Sequence, residues 1–184
     1  MITVKFKTKD MVTCAVFAAV ISVFSVMTVP IGEIPITLGL FGILLTSVVL
    51  GARRGAVAVL VFMLIGIVGL PVFSGFRGGF SVLLGPTGGY ASSYILAALL
   101  VGTASDAAKK LHNPAKTVVI AASTVIGILV CYTFGTLQFI ALTGNAPAAA
   151  LAKCVLPFIP FDIAKAAAAV ICGTEVSRRI RFLQ

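Results

Sequence analysis

The chain has 184 residues, of which 60% are hydrophobic and only 10% charged, and its mean hydropathy is +1.17. No soluble domain of this size has enough polar surface to cover so much apolar material, so the composition specifies an integral membrane protein, built as one membrane-embedded domain over residues 1–184 with no soluble domain. The net charge of +9 does not mark a nucleic-acid binder, because the cations flank apolar runs instead of forming a basic face; they act as topology determinants.

A helix needs about 20 apolar residues to cross a bilayer, and six candidate spans make the expected fold all-α. The first runs from Met11 to Val29 and is stopped by Pro30. Being longer than a signal-peptide core, it is expected to remain as a span. The second runs from Pro35 to Leu50, ended by Gly51, and the third from Ala56 to Val68 or, across Pro71, to Val72. The fourth covers Thr87 to Ala104, the fifth Val118 to Leu142 and the sixth Pro160 to Val176. Between the last two, Pro147 suits the first position of a short interfacial helix that Pro157 would end.

An even number of spans puts both termini on one side. With the N-terminus in the cytoplasm, eleven of the 14 cations lie inside: Lys5, Lys7, Lys9, Arg53, Arg54, Lys109, Lys110, Lys116, Arg178, Arg179 and Arg181. That bias is the expected signature of a multi-pass plasma-membrane protein. Glu175 stands at helical spacing from Arg178 and Arg179, which reads as a structural pair at the inner interface.

Three cations remain outside: Arg77, Lys153 and Lys165. Lys153 reads as an interfacial anchor. Lys165 follows Asp162 by three residues, so the two side chains share one helical face. A charge pair in a span pins a helix end or marks a wet cavity, and the second reading is favoured because intramembrane ionisable groups are costly. Arg77 stands in the loop GLPVFSGFRGGFSVLLGPTGGY (residues 69–90), too rich in Gly and Pro to span. Local sequence leaves it open between a solvated loop cation and a guanidinium brought close to a ligand carboxylate. The stretch from Gly85 through Gly88 to Tyr90 has the look of a phosphate loop. It lacks the G-x-x-x-x-G-K-[ST] spacing, and no Lys follows, so it is read instead as a tight, irregular entry into the fourth helix, tolerated at the membrane only where it is buried in protein or lines a cavity.

Cys14, Cys131, Cys154 and Cys172 show no C-x-x-C spacing, and His112 is the sole histidine. A metal site, a Ser/His triad or an intramembrane enzyme is therefore not expected, and no cofactor is called for. Ala15 and Ala19 form a small-xxx-small pair on the first span, with Ala18 beside them; locally, ordinary intramolecular packing is the slightly favoured reading.

Taken together, Val29-Pro30-Ile31-Gly32 with Ile34-Pro35-Ile36-Thr37-Leu38, Gly51-Ala52-Arg53-Arg54-Gly55, Gly69-Leu70-Pro71-Val72-Phe73, Gly85 to Tyr90, and Pro160-Phe161-Asp162 with Lys165 resemble the BioY family. These are the biotin-specific substrate-binding subunits (S components) of energy-coupling factor transporters. The resemblance covers nearly the whole chain. The sequence departs from the family pattern at Glu33, Gly39, Phe161 and Ala91-Ser92-Ser93-Tyr94.

The resemblance implies six helices and a biotin site near the outer face, under the first and third outer loops. It also implies partners: a transmembrane coupling protein carrying two ATP-binding subunits, docked through Ala15 and Ala19. The implied ligand set is Asp162, Lys165, Arg77, Tyr90, Thr37, Phe73 and Gly88. In this reading Asp162 accepts from the ureido N–H groups and Lys165 donates to the ureido oxygen. Arg77 faces the carboxylate or closes the 73–84 loop as a lid, while Tyr90, Phe73 and Thr37 form the walls; the roles of Arg77 and Lys165 are interchangeable at this point. Another vitamin within the same class, or a stand-alone transporter, is the alternative, although no inverted repeat supports the latter.

Overall fold

The computed structural model describes residues 7–30 and 34–179. Lys5 and Arg181 of the cation count, Ile31 and Gly32 of the first-loop motif, and Glu33 lie outside the described residues. The elements in chain order are α1 (Thr8–Val26), β1 (Thr28–Val29), β2 (Ile36–Thr37), α2 (Gly39–Val68), α3 (Ser81–Leu84), α4 (Gly88–Ala108), α5 (Asn113–Thr143), α6 (Pro147–Cys154) and α7 (Ile159–Arg179).

The first helix is shorter than its apolar run. Pro30 drives Val29 toward extended backbone, and Thr28–Val29 pair antiparallel with Ile36–Thr37, with Thr28 opposite Thr37. The expected start of the second span at Pro35 is therefore corrected to Gly39, because Ile36–Thr37 are spent in this hairpin. The remaining shifts occur where spans continue beyond their apolar stretches. The fourth helix extends to Ala108, the fifth starts at Asn113 with Pro114 in its first turn, and the sixth runs to Arg179.

The second and third expected spans are the two arms of α2. Gly51, at φ 80° and ψ −173°, adopts backbone essentially restricted to glycine and breaks the helix. The arms fold back on each other, so that a Cβ on Gly55 would sit 3.2 Å from the Cα of Ser47. The reversal is held from α4. The Asp106 carboxylate accepts the Ala52 N–H at 2.9 Å, and Ser105 Oγ donates to the Val48 carbonyl at 2.8 Å. Arg54 pairs with Asp10 of α1 at 2.9 Å. The third span stops at Val68, short of Pro71, where Gly69 forms a left-handed cap with φ 116°.

In the bundle the arms of α2 pack with α1, α4, α5 and α7. One end gathers the β1–β2 hairpin, the 69–87 loop and α6; the other gathers the Gly51 turn and the first turns of α1 and α5. Among the described residues, four helices are long and apolar enough to cross a membrane, and the bent pair α6–α7 (51°) makes up to five. Polar side chains within them bond back to their own helix, as Thr46 does to the Gly42 carbonyl and Ser47 to that of Ile43, both at 2.7 Å. This is an all-helical, multi-pass membrane architecture with one small hairpin.

Candidate functional site

At the loop end a cavity opens between α2, α4, α5 and α7. The loops contribute Ile34, Pro35, Thr37, Phe73, Ser74 and Val82 to its lining. The structure brings Asp162, Lys165, Tyr90, Thr37 and Phe73 together on its wall.

Asp162 and Lys165 lie in the first two turns of α7 and are 3% and 8% exposed. Lys165 Nζ meets Asp162 Oδ1 at 2.8 Å. The other carboxylate oxygen, Oδ2, accepts from the Tyr132 hydroxyl of α5 at 2.7 Å. Two buried unit charges are thus neutralised pairwise and anchored to a second helix by a charge-assisted hydrogen bond. Each carboxylate oxygen retains a further lone pair, and the ammonium has further donors, for a ligand arriving from the cavity.

The two walls are built by packing. Phe73 is buried with its ring edge-on to Phe62 at 5.6 Å, in the space a side chain on Gly66 would occupy. The Tyr90 ring lies against Gly135 of α5, and its hydroxyl donates to the Cys154 carbonyl at the end of α6 at 3.0 Å. Thr37 Oγ1 accepts the Gly39 N–H at 3.2 Å.

Two expected residues are not on the cavity wall. Gly88 is buried where α4 begins, against the Leu83 carbonyl and the side chain of Gln138, so it permits close packing of the loop on α5. Arg77 is exposed on the loop; its Nε donates to the Ser74 carbonyl at 3.1 Å, and its carbonyl accepts the Phe73 N–H at 2.9 Å. Its observed contacts thus close the 73–77 turn that carries Phe73. The loop is tied down on both sides. Thr28 Oγ1 accepts the Gly75 N–H at 3.2 Å and lies 3.4 Å from Ser74 Oγ. Gln138 Nε2 donates to the Leu83 and Gly85 carbonyls at 2.8 and 2.9 Å.

Sequence reasoning missed Tyr132, Tyr94, Ser25 and Phe158, which also line the cavity. One signal was available. The chain has three tyrosines and no tryptophan, and all three tyrosines, Tyr90, Tyr94 and Tyr132, face this cavity. A phenol within an apolar span needs a hydrogen-bond partner, and the sixth span carries the one acid available at that depth.

The fold and site define a class: a helical membrane protein with a buried polar constellation on the wall of a cavity. The chain belongs to the BioY family, which it matches over residues 2–182. It is 36% identical over 170 residues to a probable biotin transporter BioY of Pyrococcus horikoshii, covering 92% of this chain and 97% of that one. It is 35% identical over 178 residues to the biotin transporter BioY of Rhizobium etli, covering 92% and 93%. The crystal structure of the S-component for biotin from an ECF-type ABC transporter superposes with a TM-score of 0.83 at 24% identity, covering 97% of this chain and 95% of that one, and so shares the fold.

Proposed function

We propose that the chain is the biotin-binding membrane subunit of an energy-coupling factor uptake system. It would have both termini in the cytoplasm, six spans and the cavity near the outer face. The observation that carries this reading is the buried Tyr132–Asp162–Lys165 constellation on the wall of the cavity. A cyclic urea offers two N–H donors and one strong acceptor. An acid flanked by a lysine is the complementary pair, and in a dry pocket each group left unpaired costs about 1–3 kcal/mol. Asp162 would accept from the ureido N–H groups and Lys165 would donate to its oxygen, with Phe73 and Tyr90 packing on the thiophane ring and aliphatic chain. Thr37 would contribute its hydroxyl to the wall. Arg77 would act by holding the lid turn closed, with its guanidinium near the mouth where the vitamin's carboxylate emerges. Gly88 would serve by setting the close packing of loop on α5.

The test is a titration of the purified subunit with biotin and with biotin methyl ester, after identifying any co-purified vitamin by mass spectrometry. If the pair faces the ureido ring, the ester binds within about tenfold of biotin, because the carboxylate contributes only an exposed charge contact of about 1 kcal/mol. Loss of the ester by a hundredfold or more would place the carboxylate at Lys165 instead. Absence of biotin binding, with another vitamin retained, would overturn the substrate assignment. In the same titration Arg77→Ala should speed release; an unchanged release rate would remove the lid role.

Import itself would require the transmembrane coupling protein and two ATP-binding subunits. Ala15 and Ala19 are exposed on α1, beside Val12 and Val16, while Cys14, Ala18 and Ile21 on the opposite face are buried. Two small residues one turn apart let a partner helix approach closely. Ala15→Leu with Ala19→Leu is expected to abolish ATP-dependent uptake while leaving biotin binding by the subunit within twofold. Uptake preserved in this double variant would move the docking surface elsewhere.

A further inference from the structure

Outside the cavity, α5 and α7 diverge to leave a furrow of about 540 Å³ on the membrane-facing surface. Its sides are apolar, with Val125 and Leu129 on α5 and Ile163 and Ile171 on α7, all half or more exposed. Its floor reaches Tyr132 and Asp162, which bond each other and Lys165, and the Thr124 hydroxyl in its lining donates to the Ala121 carbonyl. The rest of the lining is apolar, so the furrow suits an apolar occupant. A helix about 10 Å across could not enter between two neighbouring helices to that depth, whereas an acyl chain could.

One end of the furrow is charged. Ile163, Ala167 and Ile171 recur every fourth residue, and Arg178 follows Ile171 by seven, so all lie on one face of α7. Arg178 Nη2 donates to Asn113 Oδ1 at the start of α5 at 3.2 Å, bridging the two helices at the furrow's end. Glu175 contacts both Arg178 (3.7 Å) and Arg179 (3.1 Å), and one carboxylate against two guanidinia leaves a positive excess. Both arginines are more than half exposed.

We propose that this furrow is a binding site for an anionic phospholipid, with an acyl chain between α5 and α7 and the headgroup phosphate at Arg178 and Arg179. Basic side chains at the end of a span attract anionic headgroups, and a furrow leading directly away from them fixes the chain of the same molecule. The chain would then pack against the back of Tyr132, the residue that orients the Asp162 carboxylate.

The experiment uses the full chain in nanodiscs doped with phosphatidylglycerol or phosphatidylcholine carrying a diazirine on the acyl chain, with cross-linked peptides mapped by mass spectrometry. The exposed face of α1 (Val12, Val16, Val23) reports bulk lipid. The expected result is at least fivefold more labelling of residues 121–129 and 163–171 than of 12–23 with the phosphatidylglycerol probe. That preference should be lost in Arg178→Gln/Arg179→Gln, whose retained biotin binding shows it folded. Equal labelling of the two faces, or equal labelling by the two probes, would overturn the proposal.

Discussion

Lys165→Met is expected to destabilise the protein by about 3–5 kcal/mol and to weaken biotin binding by two or more orders of magnitude. Asp162 is 3% exposed, so removing the ammonium 2.8 Å from it leaves a carboxylate supported only by the Tyr132 hydroxyl in a medium that solvates it poorly. The double variant Asp162→Leu/Lys165→Met separates the two consequences. Replacing a whole buried pair by apolar side chains of similar size is often neutral or stabilising. Thermal unfolding in detergent should therefore recover in the double variant, while biotin binding stays lost. If binding recovered with stability, the pair would be scaffolding and the vitamin would be held elsewhere.

Gly51→Val is expected to lower stability by about 2–4 kcal/mol, from two sources that add at this position. A non-glycine residue at φ 80°, ψ −173° costs about 1–3 kcal/mol. The new side chain also falls on the Asp106 carboxylate, which would have to abandon the Ala52 N–H it caps, a loss of about 1 kcal/mol. Gly69→Ala is the control: φ is also positive, at 116°, but nothing lies within 4 Å of the new Cβ, so only the backbone term applies. Equal melting temperatures for the two variants would mean that the Asp106 clamp contributes nothing.

The apolar runs were legible because a bilayer imposes a length and a composition on every span, and Asp162 with Lys165 because their spacing and their cost in a membrane are both local facts. What connects separate helices was not. Tyr132 meets Asp162 only because α5 and α7 pack at that height, and no spacing within either helix reports it. The two arms of α2 and the glycine between them were anticipated, but not the carboxylate that holds the turn. Asp106 accepts the N–H of Ala52, 54 positions back along the chain, and so fixes the turn at Gly51. Arg77 illustrates another limit: its residue type left open a solvated loop cation or a ligand contact, and its direction depends on the 73–77 turn, where it bonds the Ser74 carbonyl. The hairpin at 28–37 was hidden for a related reason, since apolar β-branched residues read as span until a partner strand is present.

The distribution of aromatic residues has an optical consequence. With no indole in the chain, its intrinsic ultraviolet emission comes from three phenol rings, and all three stand on the cavity wall. Unlabelled protein therefore carries its own fluorophores at the cavity proposed to receive the vitamin. A change in emission intensity on adding vitamin would report occupancy directly, without a dye, a tag or a background from the rest of the molecule.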